Sequence, residues 1–341
     1  MAKDIGIDLG SSTVLVYLKG RGIVLKEPSV VTIDKNTGEI HSVGRDAQRM
    51  IGRTPGHIAA VRPLRDGVIS KYDVTQKMLQ YFIKRACGNR LFFKPKVVIC
   101  VPAGVTELEE RALYDAAIQA GAKHVAFIEE PLAAAIGAGI DIYQPNGNMV
   151  INIGGGMTDV AVTSLGGLVV SRSAKVGGDS FDQAIINYIK QKYNILIGER
   201  TAEAIKMRIG TVIPTREQRV IDVKGRCLKQ GMPKVVRVSS AEIPIALREP
   251  VGKIINTVRF VLERTDPELI KDILNNGIVM TGGGCLLSGL DKAIENATGI
   301  RTRVAENPVG CVAIGTGMAL EIVPYLPEGT INISKQRLTK F

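Results

Sequence analysis

Two stretches of the chain share one pattern of apolar and small residues. Residues 4–18 have the sequence DIGIDLGSSTVLVYL, and residues 148–165 have the sequence NMVINIGGGMTDVAVTSL. Each predicts a buried strand, a tight turn of small residues and a second apolar strand, which together form a β-hairpin. In alignment, Asp8-Leu9-Gly10 falls on Asn152-Ile153-Gly154. The copies lie much further apart than the period of about 20–50 residues of a solenoid. The pattern therefore predicts two related domains that begin with the same hairpin.

Strand-like and helical segments alternate after each hairpin. The segment Lys96–Val101 (KVVICV) predicts a short buried strand, and Thr106 with Glu109 forms a capping box that begins a helix. In the second half, Gly177-Gly178-Asp179 precedes a helix with three large side chains on one face: Phe181, Ile185 and Ile189. Because strands and helices interleave, the predicted fold class is α/β.

Two further helix starts lie later in the second half. Ser239 and Glu242 form a capping box before a long helix that ends near Arg264. The segment Asp266-Pro267-Glu268 then combines a capping residue, a first-turn proline and an acidic first turn. These signals predict two consecutive helices.

Length and composition agree with a globular protein. The 341 residues are 45% hydrophobic and 23% charged, which is enough for two domains of roughly 100–200 residues each. The net charge of +11 is consistent with a solvated basic surface or with an anionic membrane as partner. Nucleic acid ranks last among partners, because no Lys/Arg run or nucleic-acid motif is present. The N-terminus has no signal-peptide core, and no apolar window predicts a membrane-spanning helix.

The cysteines and histidines do not predict a metal site. The five cysteines are odd in number and lack metal-ligand or redox spacing, which favours reduced thiols in a cytosolic protein. The three histidines form no cluster. A cage of protein ligands around a metal is therefore not expected.

The two hairpin turns are candidate phosphate-binding loops. Small residues let backbone N–H groups approach phosphate oxygens closely. The first turn contains Gly10, Ser11, Ser12 and Thr13, and the second contains Gly154, Gly155 and Gly156. One glycine-rich turn is weak evidence, whereas two at equivalent points of a duplication would clamp a polyphosphate from both sides.

Two weaker signals suggest a nucleoside site. Gly282-Gly283-Gly284 follows an apolar strand, and this turn either forms a backbone shelf for a base or connects a strand to a helix without any ligand. Glu203 and Lys206 flank Ala204 and Ile205 on a predicted helix. Because residues three apart share a helix face, the charged pair would reach one ribose or base together. The alternative is an ordinary surface ion pair.

Seven motifs in order then identify a family resemblance. They are IDLGSST, VPAGVTELEERAL, IEEPLAAAIGAG, NIGGGMTDVAV, GERTAEAIK, VMTGGG and AENPVGCVAIGTG. They resemble the nucleotide-binding motifs of the actin, heat-shock-chaperone and sugar-kinase superfamily. The full set is similar to that of the shape-determining bacterial actins of the MreB/Mbl family, and it covers essentially the whole chain.

The resemblance implies an actin-like fold of two duplicated RNase H-like domains with a nucleotide cleft between them. The first domain would comprise residues 1–145 with a returning segment at about 315–341, and a subdomain would be inserted at about 34–65. The second domain would comprise residues 146–314, with an insertion at about 182–243.

The resemblance also implies ATP and Mg²⁺ as cofactors in the cleft. Asp8 would lie near the metal and the β-phosphate, together with Asn152. Glu130 would position the attacking water. The remaining nucleotide contacts would come from the two phosphate turns with Gly178 and Asp179, from the helix residues Glu203, Ala204, Ile205 and Lys206, and from Gly282, Gly283, Gly284 and Cys285 beside the base.

Two residues depart from the family pattern, which usually has Asp in place of Asn152 and Thr in place of Met157. Asn lacks the negative charge that helps to position Mg²⁺. Met157 cannot hold the attacking water through a strong hydrogen bond. Such a loss commonly costs about 2–4 kcal/mol in a transition state, on the order of 10²–10³ in rate. We therefore expect ATP binding with slow or absent hydrolysis.

Thr158 could compensate for the missing hydroxyl only if its side chain pointed to the same side of the strand as Met157. Neighbouring residues on a strand point to opposite sides. The alternative is that both substitutions are tolerated.

The segment Arg90–Lys96 contains a candidate membrane contact. Leu91, Phe92 and Phe93 are three large apolar residues in a predicted loop with basic neighbours. Burial of each in a membrane would contribute about 1.5–3 kcal/mol, and a filament would multiply the contacts. The resemblance implies a membrane contact near this position. In the alternative, both phenylalanines fold back into the core.

Taken together, these features predict a cytoplasmic ATP-binding protein at the inner face of the membrane. It would polymerise, with copies of itself paired in antiparallel double protofilaments, and would guide membrane proteins of the cell-wall elongation complex. A specialised paralogue that co-assembles with an active relative is the alternative within the family. A chaperone ATPase would need a peptide-binding domain, and a small-molecule kinase would need a carboxylate base in a sugar pocket. The chain shows neither.

Overall fold

A computed structural model of the chain describes residues 4–65, 67–88, 94–214, 217–323 and 332–335. Short strands are spread along the whole chain. In chain order they are β1 (Ile5–Leu9), β2 (Thr13–Leu18), β3 (Gly22–Pro28), β4 (Val31–Asp34), β5 (Ile40–Val43), β6 (Ile58–Val61), β7 (Leu64–Arg65), β8 (Val68–Ile69), β9 (Lys96–Val101), β10 (His124–Glu129), β11 (Asn148–Ile153), β12 (Thr158–Ser164), β13 (Gly167–Ala174), β14 (Ile195–Leu196), β15 (Val220–Cys227), β16 (Pro233–Ser239), β17 (Ile278–Thr281) and β18 (Thr302–Val304).

Helices alternate with these strands, as expected for an α/β fold. They are α1 (Arg45–Met50), α2 (Tyr72–Cys87), α3 (Glu107–Gln119), α4 (Glu130–Gly137), α5 (Gly178–Tyr193), α6 (Glu199–Ile209), α7 (Ile243–Glu263), α8 (Pro267–Asn276), α9 (Leu290–Thr298) and α10 (Cys311–Met318).

Each half of the molecule contains a five-stranded sheet of the same topology. The first sheet has the order β3-β2-β1-β9-β10, and the second has the order β13-β12-β11-β17-β18. In both, three antiparallel strands from consecutive chain segments are followed by two strands parallel to the first. The duplication predicted from the two hairpins is therefore confirmed at the level of whole sheets.

The two hairpin turns are equivalent in length. Leu9 pairs with Val14 at the end of β1, and Ile153 pairs with Thr158 at the end of β11. Four residues therefore lie between the closing pairs in each hairpin. The interior strand residues are buried, so the register is set by burial on both faces of each sheet.

Smaller sheets extend both halves. The strands β5-β4-β6 form one three-stranded sheet, and β14-β15-β16 form another. The first overlaps the insertion expected at 34–65, and the second lies within that expected at 182–243. The segment 332–335 packs beside β10, where Asn332 bridges to Phe127. The exact domain boundaries stay a prediction.

Helices α4 and α10 lie between the two large sheets and cross at very close range. Their core includes residues from both sheets, such as Val98 on β9 and Val150 on β11. A Cβ atom on Gly315 would lie 1.9 Å from the carbonyl oxygen of Ala133, and one on Gly137 would lie 1.8 Å from that of Cys311. Because only glycine permits this approach, the crossing fixes the position of α4 and of the residue at its start, Glu130.

The predicted helix starts are largely confirmed. Thr106 and Glu109 form a complete capping box before α3, and Ser239 and Glu242 form another before α7. Helix α8 begins at Pro267, although the side chain of Asp266 makes no capping hydrogen bond. The predicted apolar face of α5 is buried.

Candidate functional site

A deep cleft between the two halves contains most of the residues expected at a phosphate or nucleoside site. Its cavity has a volume of about 680 Å³. The predicted residues that line it are Asp8, Gly10, Ser11, Ser12, Thr13, Glu130, Asn152, Gly154, Gly155, Gly156, Met157, Gly178, Asp179, Glu203, Lys206, Gly282, Gly283 and Gly284. The two glycine turns and the third glycine cluster therefore meet in one place.

The two hairpin turns face each other across the cleft and touch. A Cβ atom on Gly155 would lie only 2.0 Å from the hydroxyl oxygen of Ser12, so this position requires glycine. The N-terminus of α5 is attached to the second turn, because the amide of Asp179 donates to the carbonyl oxygen of Gly155 (2.8 Å). The start of α5 and the two small-residue turns therefore line the same space, and small-residue turns are typical of phosphate sites.

The carboxylate of Asp179 joins the two halves at the mouth of the cleft. It accepts hydrogen bonds from the hydroxyl of Ser12 (3.2 Å) and from the guanidinium of Arg62 (2.9 Å), both of which belong to the first half. Arg62 is not recognisable from the sequence, since a lone arginine in a loop carries no motif. Both charged side chains are partly exposed, so their ion pair contributes little to stability by itself.

Gly67 supports the first turn and was also not identified from the sequence. Its amide donates to the hydroxyl of Ser11 (3.1 Å), and its φ of 76° favours glycine. An added Cβ would lie 2.3 Å from the ring of Pro102. The dipeptide Asp66-Gly67 is a turn signal in the sequence, but only the tertiary structure places Gly67 against the first glycine turn.

A cluster of buried acidic groups lies at the base of the cleft. The amide of Asn152 donates to the carboxyl of Glu130 (2.9 Å), and its carbonyl oxygen accepts from Thr281 (3.2 Å). Both hydrogen bonds fix the orientation of the amide. Aspartate could not donate to Glu130, so the observed pairing gives Asn152 a structural role beyond the loss of a charge.

Burial perturbs the carboxyls of this cluster. It raises the pKa of Asp8 to about 7, although the Cys100 thiol donates to this carboxyl (3.5 Å) and lowers the pKa in part. Burial, followed by the charges of Asp159 and Asp8, raises the pKa of Glu130 well above its usual range. A cation carried into the cleft by a phosphate ligand would favour the ionised forms.

Asp159 belongs to this cluster and was not identified from the sequence. It is fully buried on β12 opposite Asn152, and burial raises its pKa to about 6. Residues two apart on a strand point to the same face. The sequence alone therefore indicates that Asp159 lies on the same side of the strand as Met157. Thr158 faces the opposite side, as expected, because its hydroxyl donates to the carbonyl oxygen of Val176 (2.7 Å).

Lys206 is held between two helices, α5 and α6, at the wall of the cleft. Its ammonium group donates to the carboxylate of Asp182 (2.9 Å) and to the carbonyl oxygen of Gly178 (3.0 Å). Burial raises the pKa of Asp182 to about 6, and Lys206 lowers it in part. Lys206 therefore positions the start of α5, while both it and Glu203 line the cavity.

Three of the predicted nucleotide contacts do not line the cavity. Ala204 is exposed on the outer side of α6, and Ile205 is buried in the core of the second half. The Cys285 thiol is buried and donates to the carbonyl oxygen of Gly282 (2.9 Å). Helical periodicity explains the first two, since α6 presents Glu203, Lys206 and Met207 to the cavity and points Ala204 and Ile205 elsewhere.

Gly282 and Gly284 have a packing role as well as a place in the cavity wall. A Cβ atom on Gly282 would lie 2.3 Å from the carbonyl oxygen of Ile153, and one on Gly284 would lie 2.4 Å from its side chain. The third glycine cluster therefore packs directly on the end of β11. Whether this turn also forms a shelf for a base stays a prediction.

Leu91, Phe92 and Phe93 lie outside the residues that the structure describes, so the membrane contact stays a prediction. Within the described ranges, no helix is both long and apolar enough to cross a membrane. Also within those ranges, no group of three or more His, Cys, Asp or Glu side chains is arranged to hold a metal ion.

Comparison with known proteins agrees with this geometry. The family model described as MreB/Mbl protein matches residues 2–326. The cell shape-determining protein Mbl of Bacillus subtilis (strain 168) is 51% identical over 327 residues, covering 96% of this chain and 98% of that protein. The cell shape-determining protein MreB of Escherichia coli (strain K12) is 50% identical over 327 residues, covering 94% of each.

Solved structures give the same assignment. The crystal structure of MreB 5 of Spiroplasma citri bound to AMPPNP has a TM-score of 0.91 at 39% identity, covering 95% of this chain and 98% of that one. The MamK double helical filament has a TM-score of 0.80 at 23% identity, covering 96% and 100%, and this likeness concerns the fold alone. This chain therefore belongs to the MreB/Mbl family and has the actin-like fold.

Proposed function

We propose that this chain is an ATP-binding bacterial actin that polymerises at the inner face of the cell membrane and helps to determine cell shape. The observation that carries the proposal is the pair of opposed glycine turns, which meet in a cavity of about 680 Å³ between two duplicated halves. The likeness to MreB 5 of Spiroplasma citri bound to AMPPNP, and to the same protein bound to ADP, supports nucleotide as the ligand.

The groups in the cleft fit a nucleotide triphosphate with Mg²⁺. The turns and the N-terminus of α5 would hold the phosphates, and the glycine cluster 282–284 with Glu203 and Lys206 would border the nucleoside. Asp8 and the carbonyl oxygen of Asn152 are the hard oxygen donors that Mg²⁺ prefers. The ion would neutralise phosphate charge in the cleft, and the buried carboxyl of Asp8 would become ionised beside it.

We expect hydrolysis in this cleft to be slow. Glu130 is the candidate for positioning the attacking water, but the amide of Asn152 occupies one of its oxygens. Met157 lines the cavity where the family usually has a threonine hydroxyl. Because the Glu130 carboxyl is already engaged by Asn152 and the threonine hydroxyl is absent, the attacking water would have fewer hydrogen bonds in the transition state.

Family membership supports self-assembly, and we propose membrane association with it. Relatives at about half identity are named cell shape-determining proteins, so we propose filaments of paired antiparallel protofilaments. The membrane surface and membrane proteins of the cell-wall elongation complex would be the partners. The net charge of +11 favours an anionic membrane, and Leu91, Phe92 and Phe93 would insert into it.

A second function within the family is also supported by particular residues. A chain with Asn152 and Met157 would hold ATP for long periods, and it would then stabilise mixed filaments with a relative that hydrolyses faster. The two functions differ in one measurement: only the second predicts that the relative's filaments last longer when this protein is added.

Equilibrium binding of a fluorescent ATP analogue tests the central proposal. The wild-type protein should bind in the presence of Mg²⁺, and Gly155→Ala should lose binding because its methyl group would collide with Ser12. Gly252→Ala is the matched control, since a Cβ atom at Gly252 meets nothing within 4 Å. Wild-type protein that fails to bind ATP, or Gly155→Ala that binds as tightly as the control, would contradict the proposal.

A further inference from the structure

Asp159 connects the base of the cleft to the contact between the two halves. It lies on β12 of the second half, and it is fully buried. One of its carboxylate oxygens, Oδ1, accepts hydrogen bonds from the hydroxyl of Ser173 and from the amide of Ala103 (3.4 Å). Ala103 follows β9 and belongs to the first half, so the second hydrogen bond crosses between the halves.

Ser173 makes a second contact across the same boundary. Its hydroxyl lies on β13 and also donates to the carbonyl oxygen of Ala103 (2.7 Å). Both backbone groups of Ala103 are therefore held by side chains of the second half. A rotation of one half relative to the other would strain these hydrogen bonds together.

The other oxygen of Asp159, Oδ2, is buried near the base of the cleft. It has no conventional hydrogen-bond donor among the described groups. Asp159 is the register partner of Asn152, and the amide of Asn152 donates to the carboxyl of Glu130 (2.9 Å), which begins α4 in the first half. Cross-strand partners share a sheet face, so Asp159 and Glu130 lie on the same side of β11. Asp159 thus touches the first half at Ala103 and lies next to the Asn152–Glu130 pair.

We propose that Asp159 is a positioning residue for ATP hydrolysis, which lies beside the Asn152–Glu130 pair and couples it, through Ser173 and Ala103, to the packing between the two halves. The inference rests on the proposed function, because it concerns a step that the bound nucleotide would undergo. In this arrangement, a nucleotide that changes the relative placement of the halves also changes how Glu130 is held. Filament assembly that shifts the halves would act on the same contact.

Two variants break the connection at different points. Asp159→Ala removes the carboxyl next to the Asn152–Glu130 pair together with its contact to Ala103, and Ser173→Ala removes only the hydroxyl that fixes Asp159 and Ala103. Ser173→Thr keeps the hydroxyl and is the conservative rescue. Ser171→Ala is the matched control, since Ser171 is exposed on the same strand two residues away.

ATP binding is measured first, and single-turnover phosphate release from bound ATP follows. We expect binding within about twofold of wild type for all variants. Hydrolysis should fall roughly 10- to 100-fold in Asp159→Ala, as for a misplaced catalytic group. It should fall roughly 3- to 10-fold in Ser173→Ala, as for one lost hydrogen bond. Ser173→Thr and Ser171→Ala should retain the wild-type rate.

Amide hydrogen exchange of the peptide that contains residues 102–106 gives a readout that does not depend on turnover. In wild type, exchange should differ between the AMPPNP-bound and ADP-bound states. Ser173→Ala should exchange faster in both states and lose the difference, whereas Ser171→Ala should keep it. Ser173 is only half-buried, so this variant is expected to fold even if Asp159→Ala does not.

The outcomes separate the inference from the proposed function. Failure of wild type to bind ATP would overturn both. Normal binding, with unchanged hydrolysis and unchanged exchange in Ser173→Ala, would overturn the inference alone. Bound ATP that wild type never hydrolyses would also overturn it, because Asp159 would then serve no such step.

Discussion

The hydrogen bond between Asn152 and Glu130 predicts that Asn152→Asp destabilises the nucleotide-free protein. The substitution restores the residue that the family usually has, yet in this chain it exchanges a buried hydrogen-bond donor for a carboxylate. Asn152 is 3% exposed, and its amide lies 2.9 Å from the Glu130 carboxyl. Asp8 and Asp159 are the other acidic groups of the cluster. The variant would therefore hold four acidic groups at the base of the cleft.

The size of the effect follows from these contacts. Loss of a hydrogen bond to a charged buried group costs about 1.5–3 kcal/mol. Two unit charges about 4 Å apart repel by about 4 kcal/mol at an effective dielectric constant of about 20, although uptake of a proton relieves most of this. We expect nucleotide-free Asn152→Asp to be less stable than wild type by about 2–4 kcal/mol at pH 8.

The pH dependence has a definite sign. The new carboxyl would have its pKa raised in the folded state by burial and by its neighbours. Its contribution to stability would be most favourable below its unfolded pKa and would be lost as pH rises through the folded pKa. The stability deficit should therefore be larger at pH 8 than at pH 5. Mg²⁺ with ATP should reduce the deficit, because the cation offsets the added charge.

Urea unfolding at pH 5 and pH 8, with and without Mg²⁺ and ATP, measures these differences. Asn148→Asp on the same strand is the control, since Asn148 is only half-buried and hydrogen-bonds to a backbone carbonyl instead of a carboxyl. The reasoning is refuted if Asn152→Asp unfolds at the same urea concentration as wild type. It is also refuted if the deficit is larger at pH 5.

Three further changes test other parts of the molecule. Met157→Thr should raise single-turnover ATP hydrolysis on the order of 10²–10³ by restoring a water-positioning hydroxyl, and an unchanged rate of phosphate release would show that Met157 does not limit turnover. Gly315→Ala should cost more than about 2 kcal/mol in urea unfolding, because its Cβ would lie 1.9 Å from the Ala133 carbonyl oxygen, whereas Gly252→Ala should not destabilise. Phe92→Ser with Phe93→Ser should abolish co-sedimentation with anionic vesicles. Leu108→Ser, at a site 81% exposed elsewhere, is its control, and equal sedimentation of both variants would argue against the loop as the anchor.

Local sequence patterns were sufficient to predict the two hairpins, several helix starts and the glycine turns of the cleft. The two hairpins depend on alternating apolar residues and small turn residues that are adjacent in the chain. The capping boxes at Thr106 and Ser239 depend on contacts three residues apart. Interactions over such short separations are encoded in a single segment, so a sequence without its fold reveals them. The glycine turns followed from the same kind of signal.

Only the tertiary structure decided which distant groups meet. Gly67 reaches the first glycine turn and Arg62 reaches Asp179 from another part of the chain, and Asp159 of the second half contacts Ala103 of the first. The close crossing of α4 and α10 is likewise a contact between segments far apart in sequence. The sequence by itself determined the repeated sheet-forming units and their glycine turns. The tertiary structure determined the charge environment of the site, because burial and neighbouring carboxyls depend on how the two halves pack.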